Sequence, residues 1–229
     1  MTDVTIATLD GQQMPAYRAD PAGAPRGAIV VIQEICGGNA GIRRRCDTLA
    51  AAGYRAIAPA LFWRRGRGIE LDPDVDAEMQ RALAIMGDFD QDAGVRDIEA
   101  TIRYAHAESG GKVGAVGYCL GGRLAYMTAA RTDVDASVGY YAVGVDGLLG
   151  EKHAIANPLM LHIAGDDGFV DAATQAAMHA GLDDHPKVTL YDYPGEDHGF
   201  ATEFGKRRSD AAATLADERT AAFFAEHIG

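Results

Sequence analysis

Cys119 lies in a glycine-flanked segment whose residue types suit covalent catalysis. Residues 112–122 read KVGAVGYCLGG and join a short apolar run to the pattern G-x-C-x-G. In enzymes with the related G-x-S-x-G pattern, a sharp strand-to-helix turn exposes the nucleophile and points a helix N-terminus at it. Glycines suit such a turn because close packing or a positive φ leaves no room for a Cβ atom. The same residues would also suit an ordinary βα turn around a small buried cysteine. We refer to residues 117–122 as the Cys119 turn.

An acid and a base follow the cysteine in the order nucleophile, acid, base. A cysteine nucleophile needs a base that accepts and returns a proton, and a third group that orients this base. His198, in the loop sequence EDHGF, is the candidate base, and Asp167 is the candidate acid. Asp166 competes with Asp167, since either aspartate could be a turn residue. The chain order is that of α/β-hydrolases and differs from the orders of other triad enzymes.

Glu34 is a carboxylate that follows a strongly apolar run at residues 28–32. Burying a carboxylate there is costly unless it has a partner. One interpretation is a glutamate that faces the Cys119 thiol and controls its protonation, with the backbone N–H groups of Ile35 and Leu120 forming an oxyanion hole. The other is an exposed loop glutamate. From the residues alone, both interpretations remain.

Strands and helices alternate along the chain. A hairpin at residues 4–8 and 14–18, around Asp10-Gly11, is predicted to open the sheet. Further strands are predicted at residues 28–32, 54–58, 113–116, 136–141, 159–164 and 188–193. Helices are predicted at residues 40–52, 77–86, 92–108, 120–131, 172–182 and 210–227, with an irregular segment at 62–76 and a loop with one helical turn at 144–156.

This alternation predicts a mostly parallel central sheet with helices on both faces. Ligands of such sheets bind outside the carboxyl ends of the strands. The four candidate residues all follow predicted strands, so the topology brings them to one edge: Glu34, Cys119, Asp167 and His198.

Length and composition favour one globular α/β domain over residues 1–229, and a site at the strand ends suits a small-molecule substrate. The net charge of -12 opposes binding to nucleic acid or to anionic membranes. We see no signal-peptide pattern and no apolar run of the ~18 residues that a membrane span needs. Three cysteines without zinc-type spacing predict no disulfide framework and no metal. We therefore expect a cytoplasmic monomer without a cofactor.

Seven short segments, spread over nearly the whole chain, together resemble one known family. They read QEI (33–35), LAAAGY (49–54), GYCLGG (117–122), VGYY (138–141), GDDGFV (165–170), DHGF (197–200) and ADERT (216–220). These segments are similar to those of the dienelactone hydrolases, also called carboxymethylenebutenolidases. The resemblance implies the α/β-hydrolase fold, a triad of Cys119, Asp167 and His198, and a thiol-tuning role for Glu34.

The resemblance also implies a reaction. In this family the resting thiol is paired with the glutamate, and substrate binding displaces the glutamate and delivers a thiolate that attacks the lactone carbonyl. The resulting acyl-enzyme is then hydrolysed. The implied activity is therefore the opening of a lactone, such as dienelactone to maleylacetate, through a cysteine acyl-enzyme.

Two positions depart from the family pattern on the substrate side. Members that act on dienelactone hold its carboxylate with two arginines, and the matching positions here are Thr202 and Met79. Arg81, two residues beyond Met79, is a candidate substitute. Cys36 stands where the family often has phenylalanine and is a second candidate substrate contact. Other arginines considered as substitutes are Arg64, Arg65, Arg67, Arg207 and Arg208.

These departures keep other functions open. An esterase that acts on small uncharged esters would use the same machinery without a carboxylate clamp. A ligand-binding protein without catalysis is a third hypothesis. The complete set of cysteine, aspartate, histidine and glutamate argues against it.

Overall fold

An open sheet of eight strands forms the centre of the protein, and the computed structural model describes residues 2–229 of it. The order across the sheet is β1-β2-β4-β3-β5-β6-β7-β8. The strands are β1 (Thr2–Ala7), β2 (Gln13–Ala19), β3 (Ala28–Ile32), β4 (Arg55–Pro59), β5 (Val113–Tyr118), β6 (Ala136–Tyr140), β7 (Leu159–Ala164) and β8 (Val188–Tyr193).

The strand pairs are parallel from β4 to β8, whereas β1 and β2 form an antiparallel hairpin that joins β4. Gly11 has a φ of 79° in the hairpin turn, a conformation that glycine adopts without a steric penalty. Strands β3, β5, β6 and β7 are buried along their whole length. Their continuous apolar runs are typical of parallel strands that are covered on both faces.

Within residues 2–229, six α-helices and one 3-10 helix accompany the sheet. The α-helices are α1 (Ala40–Ala51), α2 (Asp76–Gly87), α3 (Gln91–Ser109), α4 (Leu120–Arg131), α5 (Ala172–Leu182) and α6 (Asp210–His227). Apolar side chains of α1 and α6 pack together in one core cluster, and those of α2, α3 and α4 pack in another. Helices therefore cover both faces of the sheet, as the alternation of elements predicts.

The helix caps explain where two of these helices begin. The side chain of Asn39 accepts hydrogen bonds from the N–H groups of Gly41 and Ile42, at 3.1 and 3.2 Å. Asp171 accepts from the N–H of Thr174 at 2.8 Å. In both caps a side-chain oxygen satisfies N–H groups that the first helical turn leaves free.

The structure differs from the sequence prediction between β6 and β7. A 3-10 helix spans Asp146–Ala154, a longer helical segment than the single turn that we predicted there.

No helix among residues 2–229 combines the length and apolar character needed to cross a membrane.

Candidate active site

The Cys119 turn joins β5 directly to α4, and its glycines are required by close packing. A Cβ atom on Gly117 would lie 1.9 Å from the carbonyl oxygen of Gly121, and one on Gly121 would lie 2.4 Å from that of Ile32. One on Gly122 would lie 2.6 Å from a carbonyl oxygen of β6. The positive φ of this turn, 55°, belongs to Cys119 itself. A non-glycine residue in a sparsely populated backbone conformation costs about 1–3 kcal/mol, and such residues cluster at functional sites.

Cys119 lies at the N-terminus of α4. Cys119 precedes the first residue of α4, so the free N–H groups of the helix N-terminus lie next to the thiol. Its side chain is partly exposed, unlike those of Cys36 and Cys46, which are buried. The structure thus separates one accessible cysteine at a helix N-terminus from two that are enclosed.

Asp167 and His198 are in direct contact. The two oxygens of the Asp167 carboxylate lie 2.9 and 3.1 Å from Nδ1 of His198. One of them also accepts from the N–H groups of Phe169 at 2.8 Å and Val170 at 3.2 Å. Asp166, the competing aspartate, is exposed. The geometry therefore selects Asp167 as the partner of the imidazole.

His198 is held in its charged form. Burial opposes the positive charge, but hydrogen bonds with Asp167 and Cys119, and the negative charges of both, outweigh it and raise the pKa of His198 to about 10. Only 8% of its side chain is exposed. An imidazolium between a carboxylate and a sulfur is the arrangement that stabilises a thiolate.

Glu34 projects from the turn after β3 into the same region. Its carboxylate accepts a hydrogen bond from the hydroxyl of Tyr141 at 3.2 Å. Burial raises the pKa of Glu34, while the charge of His198, the Tyr141 hydrogen bond and the charges of Arg45 and Arg207 act in the opposite direction. In this structure the Glu34 carboxylate is thus paired with the hydroxyl of Tyr141, and it lines the same cavity as Cys119 and His198.

Tyr141 is a site residue that the sequence prediction did not assign. It follows β6, has a φ of 36° and is 1% exposed. Its ring packs against His198 with a centroid distance of 5.0 Å. The sequence does contain a signal for Tyr141, because it is the last residue of VGYY, one of the segments that resemble the family.

The two backbone N–H groups predicted for an oxyanion hole are available. Among the hydrogen bonds of residues 2–229, none uses the N–H of Ile35 or of Leu120 as donor. Ile35 follows Glu34 directly, and Leu120 follows Cys119 directly. Both residues flank groups that line the same cavity, where a free N–H could bind a substrate oxygen.

A cavity of about 200 Å³, which we call the thiol cavity, contains Cys119, His198 and Glu34 in its wall. The rest of the wall is mostly apolar, as in many small-molecule sites. Helix α2 and the segments after β6 and β7 contribute Met79, Leu83, Met86, Val143 and Phe169. Cys36 also lines this cavity, and its role as a substrate contact stays a prediction; burial, helped by the charges of Glu34 and Cys119, raises the pKa of its thiol to about 12.

The prediction of Arg81 as a substrate contact is not supported, because Arg81 is exposed and does not line the thiol cavity. The reason is the helical period. Met79, Leu83 and Met86 share one face of α2, at spacings of three and four residues. Arg81 is two residues from Met79 and therefore lies on the opposite face.

Two other cations do line the thiol cavity, Lys206 and Arg207. Arg207 donates to the carbonyl oxygen of His198 at 3.3 Å and lies over the ring of Phe169, 5.6 Å from its centroid. The other arginines considered do not line the cavity: Arg64, Arg65, Arg67 and Arg208. Thr202 lines it as well, and its hydroxyl is buried without a hydrogen-bond partner in residues 2–229. Residues 2–229 contain no cluster of three or more His, Cys, Asp or Glu that could hold a metal ion.

Known proteins resemble this chain in sequence over its whole length. The model of the dienelactone hydrolase family matches residues 14–228. A carboxymethylenebutenolidase of Pseudomonas putida is 39% identical over 224 residues, which cover 97% of this chain and 95% of that protein. A protein of Azospirillum brasilense, provisionally named as the same enzyme, is 44% identical and covers 100% of both chains.

A solved structure also resembles this chain in fold. The crystal structure of a provisionally named dienelactone hydrolase from Klebsiella pneumoniae has a TM-score of 0.87 at 25% identity and covers 99% of this chain and 98% of that one. The predicted α/β-hydrolase fold is therefore confirmed. Because both the family model and full-length relatives match, this hydrolase belongs to the dienelactone hydrolase family.

Proposed function

We propose that this protein opens a lactone of the dienelactone type, giving maleylacetate from dienelactone, through an acyl-enzyme on Cys119. The observation that carries the proposal is the contact between Asp167 and His198, at 2.9 Å, beside a thiol held on a strained turn. The family membership and its carboxymethylenebutenolidase relatives support the reaction class.

In the acylation step, the Cys119 thiolate attacks the carbonyl carbon of the lactone. A C–S bond forms, and the N–H groups of Ile35 and Leu120 stabilise the oxyanion. When the intermediate collapses, the ring C–O bond breaks. The released oxygen then takes the proton of the His198 imidazolium, so the ring opens without losing a fragment.

In the deacylation step, a water molecule attacks the thioester carbonyl. His198, now neutral, accepts a proton from this water, and Asp167 stabilises the imidazolium that forms again. The C–S bond breaks, and the thiolate returns beside the charged imidazole. The product leaves as a ring-opened carboxylate.

Glu34 has the role of a proton acceptor for the thiol. It lines the thiol cavity with Cys119, and burial raises its pKa, which makes it a better proton acceptor than an exposed glutamate. Its hydrogen bond with Tyr141 gives the carboxylate a fixed position. A thiol that keeps its proton in a hydrogen bond to the Glu34 carboxylate would be protected from oxidation until substrate arrives.

A second candidate is an esterase for small uncharged esters. The observation that favours it is the apolar wall of the thiol cavity, with Met79 and Thr202 at the two positions where the resemblance places arginines. A carboxylate buried there without a cation would be costly. Lys206 and Arg207 are the cations that an anionic lactone would use.

The decisive experiment compares wild type with Cys119→Ala and Cys119→Ser on dienelactone isomers and on p-nitrophenyl acetate. We expect the alanine variant to be inactive and the serine variant to keep a small fraction of kcat/KM, since an alcohol is a much weaker nucleophile than a thiolate. Cys46→Ala is the matched control, because Cys46 is buried away from the thiol cavity. Undiminished activity of Cys119→Ala would refute the mechanism.

The same assay separates the two substrate classes. A higher kcat/KM for dienelactone that falls with added salt would support the anionic lactone, because salt screens its attraction to Lys206 and Arg207. A strong preference for the neutral ester without salt dependence would support the esterase instead.

A further inference from the structure

Arg45 is a buried cation in contact with the segment that follows His198. It belongs to α1 and is 7% exposed. Each nitrogen of its guanidinium has a different partner. Nε lies 3.0 Å from a carboxylate oxygen of Glu203, Nη1 donates to Asp217 at 2.8 Å, and Nη2 donates to the carbonyl oxygen of Ala201. A planar guanidinium with all three nitrogens engaged has one fixed orientation.

These partners belong to parts of the chain that also hold the candidate catalytic groups. Ala201 and Glu203 follow His198 closely in the chain, and Asp217 is on α6. The other oxygen of Asp217 accepts from the hydroxyl of Tyr140, at the end of β6, at 3.0 Å. The guanidinium also lies over the ring of Tyr118, 5.1 Å from its centroid, and Tyr118 directly precedes Cys119. Arg45 therefore connects the His198 segment, the Cys119 turn and α6.

A second cavity joins Arg45 to Glu34. This cavity, of about 350 Å³, has both residues in its wall and shares Glu34 and Thr202 with the thiol cavity. We call it the acidic cavity, after the carboxylates in its wall. The charge of Arg45 is one of the effects that act against burial and lower the pKa of Glu34. Arg45 thus contacts the His198 segment on one side and acts on Glu34 on the other.

We propose that Arg45 is a positioning residue, which holds the segment after His198 against the Cys119 turn and supplies a fixed positive charge to Glu34. The inference rests on the proposed function, because it assigns Arg45 an effect on two groups of that mechanism. Without its hydrogen bonds, the segment that carries His198 loses its attachment to α1 and α6. Without its charge, the ionised form of Glu34 becomes less favourable.

Other charged and titratable groups surround Glu34 and stay in place when Arg45 is changed. On the thiol cavity they are the cations of His198, Lys206 and Arg207, with Cys36, Cys119, Asp74 and Tyr141. On the acidic cavity they are Tyr118 and the carboxylates of Glu70, Asp72, Glu78 and Glu203. Acids predominate on the acidic cavity, so loss of the Arg45 charge leaves Glu34 facing a more negative surrounding.

The experiment compares Arg45→Met with Arg45→Lys in the full-length protein, using p-nitrophenyl acetate and recording kcat/KM against pH. The methionine removes both charge and hydrogen bonds, whereas the lysine keeps the charge. Arg44→Met is the matched control, because Arg44 pairs with the same Glu203 carboxylate at 3.2 Å but is 64% exposed. Since Arg45→Met leaves two acids near each other, Arg45→Met with Glu203→Gln is made as well.

We expect Arg45→Met to lower kcat/KM by about 100-fold, the loss that a displacement of about 1 Å at a reacting group can cause. The acid limb of its pH profile moves up by about half a pH unit or more, because the ionised Glu34 is the active form and its pKa rises. Arg45→Lys keeps the limb in place while kcat falls, and Arg44→Met leaves both unchanged. In a Glu34→Gln background, Arg45→Met no longer moves the limb.

The proposal is overturned if Arg45→Met lowers activity only in proportion to the fraction of unfolded protein, measured by calorimetry on the same samples. It is equally overturned if the acid limb of the pH profile stays in place both in Arg45→Met and in Arg45→Met with Glu203→Gln. Failure of the proposed function has a different signature. In that case Cys119→Ala retains activity, whatever the Arg45 variants do.

Discussion

Replacing Asp167 by asparagine tests the central contact of the proposed mechanism with little change in shape. The carboxylate is 1% exposed and accepts from His198 and from two backbone N–H groups. An asparagine can satisfy the backbone groups with its carbonyl oxygen, which turns its NH2 group toward Nδ1 of His198. The imidazole must then accept at Nδ1 and carry its proton on Nε2. That tautomer cannot take a proton at Nε2, the nitrogen left for the reaction.

The structure sets the size of the effect. Burial disfavours the His198 cation, yet the pairing with Asp167 and Cys119 raises its pKa from 6.5 to about 10. This difference corresponds to roughly 5 kcal/mol at about 1.4 kcal/mol per pH unit, shared between the two partners. In serine enzymes the equivalent change costs about 10⁴-fold in rate. A thiol depends less on a base than an alcohol does, so we expect Asp167→Asn to lower kcat/KM by about 10² to 10³-fold.

Stability gives a second readout whose sign follows from the same pKa. A group with a raised pKa in the folded state contributes its full stabilisation below its unfolded value, here 6.5, and loses it as the pH rises toward about 10. Thermal unfolding of wild type and Asp167→Asn should therefore differ most at pH 6 or below. The difference should shrink steadily between pH 6.5 and pH 10.

The control is Asp166→Asn, since Asp166 is the neighbouring aspartate but is exposed. We expect it to leave kcat/KM within about twofold of wild type, as surface substitutions usually have small effects. The reasoning fails if Asp167→Asn keeps activity within about threefold of wild type, or if its difference in unfolding temperature does not depend on pH.

Two further predictions concern stability. Gly121→Ala should destabilise the fold by about 3 kcal/mol in urea unfolding, because its Cβ would lie 2.4 Å from a backbone oxygen, whereas Gly147→Ala, with open space at its Cβ, should have little effect. An equal cost for both would contradict the packing explanation of the Cys119 turn. Burial lowers the pKa of His162 to about 3, so wild type should lose roughly 1.4 kcal/mol per pH unit through this group as the pH falls below 6.5. His162→Gln should lack that part of the acid dependence, and an unchanged dependence in urea unfolding at pH 4 to 7 would refute this origin.

Much of the fold was predictable because strong local signals agree with the parallel sheet. The predicted strands at residues 28–32, 159–164 and 188–193 coincide with β3, β7 and β8. Each is an apolar or β-branched run between turn residues. The chemical residues were predictable for a related reason, since parallel strands bring the residues after them to one edge. Glu34, Cys119, Asp167 and His198 indeed lie at that edge.

Other parts of the site depend on contacts between segments that are distant in the chain. Arg45 lies in an arginine-rich stretch of α1, RRRC, where three neighbouring arginines read alike. Only the packing of α1 against the segment after β8 distinguishes Arg45, which is buried, from Arg44, which is 64% exposed. Asp167 and Asp166 were likewise equivalent as turn residues. The contact with His198 separates them.

The substrate side of the site follows from which face of α2 meets the thiol cavity. The sequence did contain this face, because Met79, Leu83 and Met86 recur at helical spacing, and Arg81 does not belong to that series. Arg81, the arginine next to Met79 in the sequence, therefore lies on the other face of α2 and does not line the thiol cavity. Strand ends and tight backbone packing place the candidate hydrolytic groups, whereas an exposed helix and the segment at residues 199–207 form much of the wall of the thiol cavity. Under the proposed function, the most constrained parts of the chain thus hold the reacting groups, and parts that can change without disturbing the sheet determine the substrate preference.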